Sequence, residues 1–117
     1  MDILICVPDR VVEADLSEWG RELGAAFNVS VLPSLLDLVA RAAQADRIAA
    51  TLVGGARDAI ETSGLDAIVS RKGGRLIWLG DVDAGQVLPA GWIAVSVPYS
   101  TDTLEWAFRQ RPDQCPT

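Results

Sequence analysis

Short, unbroken apolar runs alternate along the chain with longer stretches in which apolar residues return every three or four positions. The short runs suit strands buried on both faces of a parallel sheet, and the three-to-four spacing suits amphipathic helices laid on that sheet. Residues 3–7 (ILICV) form the first run, stopped by Pro8. Val12, Leu16, Trp19, Leu23 and Phe27 then make one helical stripe, while Glu13, Asp15, Glu18 and Glu22 fall largely outside it.

The same alternation continues. Residues 29–32 predict a second strand closed by Pro33, with Ser34 as the cap of a helix whose apolar face carries Leu35, Leu38, Val39 and Ala42. Residues 48–53 predict the third strand, followed by Gly54-Gly55 and a helix over 56–70 that has a breakpoint at Ser63-Gly64 and ends at Lys72-Gly73-Gly74. Residues 76–79 and 92–97 predict strands four and five, and 101–110 the last helix. The stretch from Asp81 to Gly91 carries Gly85, Pro89 and Gly91, so the helix expected between the last two strands is short or missing. The pattern predicts a doubly wound five-stranded parallel α/β sheet over residues 1–111, with a frayed tail at 112–117. In such a sheet, sites sit beyond the carboxyl ends of the strands.

Composition narrows the chemistry. The 117 residues include 16 acidic and 10 basic side chains, a formal net charge of −6 that repels a phosphate backbone, so no nucleic-acid partner is expected. No apolar stretch approaches the roughly 20 residues of a membrane-spanning helix, and no basic flank precedes Ile3, which argues against membrane and secretory readings. Histidine is absent, which removes Ser-His and Cys-His nucleophile pairs and His-rich zinc sites. Cys6 and Cys115 have neither metal-ligand spacing nor a disulfide framework, consistent with a reducing cytoplasmic setting. Lys72 is the single lysine.

The residues just after each predicted strand are Val7-Pro8-Asp9, Thr51 to Gly55, Gly80-Asp81 and Val97-Pro98-Tyr99. With the runs ILICV at 3–7 and LIWLG at 76–80, their order and spacing resemble the receiver domain of two-component response regulators, over residues 2 to about 111. The resemblance implies a flavodoxin-like fold and a place in bacterial signalling. It also implies an acidic pair after the first strand, a phosphoacceptor Asp at the end of the third, Ser or Thr at the end of the fourth, and Lys-Pro after the fifth. Laid on this sequence, the acidic pair falls at Val7 and Pro8, with Asp9 one place beyond. The acceptor falls at Thr51, the hydroxyl residue at Gly80 and the lysine at Val97, so that Pro98 and Tyr99 alone keep their type.

That substitution pattern has a chemical consequence. Phosphoryl transfer to a carboxylate relies on Mg²⁺ held by hard carboxylate oxygens, and Val7 and Pro8 offer none. Thr51 reads most simply as a strand former whose hydroxyl bonds nearby backbone. Lys72 precedes the fourth strand, at the wrong end of the sheet to replace the missing cation. The expectation is a domain that is not an enzyme and needs no metal or cofactor, a pseudo-receiver that docks a protein partner or a second copy of itself.

Two further features bear on binding. Gly54, Gly55 and Arg57 before a helix are either a flexible turn or an anion-binding loop, and the latter would make the chain a small-molecule or nucleotide sensor. Of the four tryptophans, Trp19 and Trp78 fit the core pattern. Trp92, Tyr99 and Trp106 form a candidate partner interface beside the shortened connection, or else cover the gap it leaves.

Overall fold

A computed structural model describes residues 1–80, 88–89, 91–96 and 99–109. Five strands, β1 (Asp2–Cys6), β2 (Asn28–Val31), β3 (Ile48–Gly54), β4 (Arg75–Leu79) and β5 (Trp92–Val95), pair in the order β2-β1-β3-β4-β5. Every pairing is parallel. The helices are α1 (Arg10–Glu22), α2 (Leu35–Gln44), α3 (Arg57–Ser63), α4 (Leu65–Arg71) and α5 (Thr101–Arg109). This is the flavodoxin-like, doubly wound arrangement.

Successive strand residues point to opposite faces, so each apolar strand feeds two cores. Leu4, Cys6, Val53, Leu76 and Trp78 meet Leu38 and Ala42 of α2, Ile60 of α3, and Leu65 and Val69 of α4. Ile3, Ile5, Leu52, Ile77 and Leu79 meet Leu16 and Trp19 of α1 and Leu104 and Ala107 of α5. Runs that alternated with polar residues could line only one of these cores, which is why the strands read as continuous apolar segments.

The helix ends follow local chemistry. Asp9 caps α1 by accepting from the backbone N–H of Val11 (2.8 Å) and Val12 (3.4 Å). Ser34 caps α2, its Oγ accepting from the Asp37 N–H at 3.2 Å and donating to Asp37 Oδ2 at 2.9 Å. The helix expected over 56–70 breaks where Gly64 adopts φ 75°, a left-handed conformation that a side chain would strain. The helix expected within 81–91 falls mainly on residues outside those described, as does the tail at 112–117.

Candidate functional site

The strand ends fix where a receiver-like site would stand. Cys6 pairs with Val53, and Gly54 with Leu79. Thr51 pairs with Leu4 and Leu76, in the middle of β3 rather than at its end. The expected acceptor position at Thr51 is therefore corrected: the strand runs three residues further, and its carboxyl end is Gly54. Thr51 is wholly buried, and its Oγ1 has no hydrogen-bond partner among the described residues, so the expected bond to nearby backbone is not made. The hydroxyl sits inside the sheet, where no ligand reaches it.

Among the described residues, the carboxyl ends of β1, β3 and β4 present apolar side chains and glycine. A β-carbon on Gly54 would stand 3.1 Å from Pro8 Cδ and 3.5 Å from Val7 Cγ1, so these two side chains press against the end of β3. From β4, Trp78 swings its indole across Gly80, where a β-carbon would lie 2.7 Å from Cζ2. Its Nε1–H donates to the Gly55 carbonyl at 3.1 Å, and its ring packs against Trp92 with centroids 6.5 Å apart. Gly80 donates its N–H to the Val95 carbonyl at 3.1 Å, which ties the ends of β4 and β5 together. Glycine at position 80 is thus the space the Trp78 ring occupies.

The charged candidates near this end are committed elsewhere. The Asp9 carboxylate is spent on the α1 cap. Arg57 lies 3.8 Å from Glu61 in an i,i+4 pair on α3, a helix of seven residues whose start at Ala56 has no side-chain cap. Lys72 lies at the far end of the sheet, where Nζ donates to the carbonyls of Ala43 (3.1 Å) and Ala45 just past α2. Val97 and Pro98 lie outside the described residues. Burial, then the charges of Glu13 and Asp37, raises the Cys6 thiol above its ordinary range and keeps it protonated.

The three aromatic residues of the expected interface do not share a surface. Trp92 is buried, packs with Trp78 on the α4 side, and donates its Nε1–H to Asp66 Oδ2 at 3.4 Å. Tyr99 packs on the opposite side, against the α1–α5 core. Trp106 is 55% exposed on α5, as the spacing of Leu104 and Phe108 around it predicts. The grouping of Trp92 with Tyr99 and Trp106 is corrected because the sheet lies between Trp92 and Tyr99.

Open space occurs away from the crevice. A depression of about 450 Å³ beside Arg21, Gly24, Phe27 and Asn28 lies at the amino end of β2. A groove of about 300 Å³ runs between α1 and α5, walled by Asp15, Glu18 and Glu22 on one side and Tyr99, Thr101 and Leu104 on the other, with Trp19 also lining it. No ion pair engages Asp15, Glu18 or Glu22 among the described residues. Burial and the charges of Asp15 and Asp9 raise the Tyr99 hydroxyl above its ordinary value of 10. Neither that hydroxyl nor Trp19 Nε1 has a hydrogen-bond partner among the described residues.

The apolar stripe of α1 leaves Glu13, Asp15, Glu18 and Glu22 largely outside it. Asp15, Glu18 and Glu22 flank Trp19 at positions i, i+3 and i+7, a spacing that puts all four on one side of the helix. That spacing was the available signal, and the identity of the facing helix was not.

No family model and no curated protein matches the chain. Among solved structures it is similar to a chain from Burkholderia thailandensis E264 described as a pilus assembly protein (cpaE). The two are 20% identical, the match covers 94% of this chain and 99% of that one, and the TM-score is 0.63. At that identity the likeness establishes the fold, a five-stranded doubly wound sheet spanning nearly the whole of both chains.

Proposed function

We propose that the chain is a pseudo-receiver: a receiver-like domain that carries no phosphoryl-transfer chemistry and works as a protein-interaction module in bacterial signalling or assembly. The observation that carries this reading is the packed carboxyl end of the sheet. Val7, Pro8, Gly54 and the Trp78 indole stand at the described strand ends where an acidic pair and an acceptor carboxylate would have to stand to hold a metal, and none of them offers a carboxylate oxygen. Apolar carbons cannot neutralise a moving phosphoryl group, and Mg²⁺ binds hard oxygens in near-octahedral geometry. A domain of this fold without that chemistry retains its surface as a means of acting. The similarity to a chain described as a pilus assembly protein supports a role within a larger assembly.

Incubation with acetyl phosphate and Mg²⁺, followed by intact-mass measurement under neutral conditions, tests the reading. The expected outcome is an unchanged mass. A labile adduct of one phosphoryl group that requires Mg²⁺ would overturn it.

A further inference from the structure

We infer that the groove between α1 and α5 receives a basic side chain, an arginine, carried on a peptide segment of a partner protein. The inference rests on the interaction-module reading above and names the surface and the chemistry of what docks there.

Three observations converge on this groove. Asp15, Glu18 and Glu22 put three carboxylates along one wall with no cation paired to them among the described residues. Trp19, which also lines the groove, is more than nine-tenths buried, yet its Nε1–H has no acceptor among the described residues. On the facing wall the Tyr99 hydroxyl is also buried with no partner among the described residues, close enough to Asp15 for that charge to resist its ionisation. A buried polar group that water cannot reach costs free energy until something satisfies it.

The requirements of these groups select the ligand. The carboxylates exclude an anion and call for a cation. The Trp19 N–H can only donate, so it calls for an acceptor such as a main-chain carbonyl. An inorganic cation or a bare ammonium supplies the first and not the second. A cationic peptide supplies both, and arginine suits the groove better than lysine because its planar guanidinium donates to the carboxylates and the Tyr99 oxygen at once and stacks on aromatic faces, while the adjacent carbonyl accepts from Trp19. A second copy of this chain, itself at net charge −6, is disfavoured by repulsion, which leaves a partner with a basic segment. Entry requires α5 to yield slightly. α1 and α5 each pack on their own strands, and the Trp19–Phe108 edge-to-face contact at 5.7 Å bridges them.

The test is a titration of the ¹⁵N-labelled full chain with acetyl-Gly-Arg-Gly-amide, its citrulline analogue and spermidine, following the Trp19 indole N–H resonance. The arginine peptide is expected to shift that resonance saturably, with a midpoint about tenfold below that of the neutral citrulline peptide, equal to about 1.4 kcal/mol. The Glu18→Gln/Glu22→Gln double variant, altered only at exposed positions, is expected to keep its folded spectrum and lose the preference. Equal response to arginine and citrulline, a preference that survives in the double variant, or stronger binding of spermidine than of the peptide would each overturn the inference. So would a concentration-dependent spectrum of the free chain in which the groove is filled by a second copy. None of these results bears on the acetyl phosphate experiment, so the two readings fail separately.

Discussion

The carboxyl end of the sheet and the α1–α5 groove are two concavities of one fold, and they are finished in opposite ways. At the sheet end, a tryptophan, a proline and a valine stand against the glycines of β3 and β4, and the indole N–H finds its acceptor in Gly55. At the groove, a tryptophan and a tyrosine line the wall with polar atoms that have no partner among the described residues, beside carboxylates with no counter-ion among them. Most buried polar groups complete their hydrogen bonds, as Trp78 does. Two of the groups that do not, Trp19 and Tyr99, line the same groove as three carboxylates, which marks it as a surface suited to a partner.

The largest effect is expected from opening the closed end. Trp78→Ala removes a buried indole, its contact with Trp92 and its bond to Gly55, and should destabilise the fold by about 3 to 5 kcal/mol in urea unfolding. A loss below about 1 kcal/mol would mean that the indole is not packed as described and that the end of the sheet is loosely closed.

The two orphaned hydroxyls sharpen the contrast at smaller scale. Thr51 is sealed within the sheet, so Thr51→Val should raise stability by about 1 kcal/mol, seen as a higher urea midpoint at constant m. A destabilised variant would reveal a bond to Thr51 Oγ1 and weaken the case that this position is purely structural. The Tyr99 hydroxyl faces the groove, and its effect is expected in the pH dependence. Burial first, then Asp15 and Asp9, raises its folded value above 10, so the unfolded chain releases this proton at lower pH than the folded one does. That component of stability is complete below the unfolded value and is lost as pH rises past about 10. Tyr99→Phe should therefore decline less steeply than the parent between about pH 9 and 11 in urea unfolding, and identical slopes would place the hydroxyl in ordinary solvent.

Much of this architecture was legible in the chain itself. The apolar runs located all five strands to within two residues at most ends, because a strand covered on both faces leaves an unbroken hydrophobic signature. Ser34 announced a helix start through its capping chemistry and Ser63-Gly64 announced the break between α3 and α4, whereas the Asp9 cap emerged only from the structure. What the sequence could not give was register. The receiver resemblance laid the strand-end acceptor on Thr51 by spacing, although the apolar run continued to Val53, and pairing with β4 carries β3 through Gly54. Nor could it say that the sheet separates Trp92 from Tyr99, since that depends on which way β5 turns its side chains. Trp78 was recognisable as core, whereas its role in closing the crevice depends on the empty space at Gly80, a pairing visible only in three dimensions.

The sole lysine offers a last consequence. By holding the carbonyls of Ala43 and Ala45 from its place after α4, Lys72 staples two helix termini that are far apart in the chain. Acetylation would erase that staple in a single chemical step, with no second ε-amine to dilute the result. Amine-directed labelling of the folded chain consequently reports on the seam between α2 and α4 alone, apart from the amino terminus, and its rate becomes a direct gauge of how often that seam breathes.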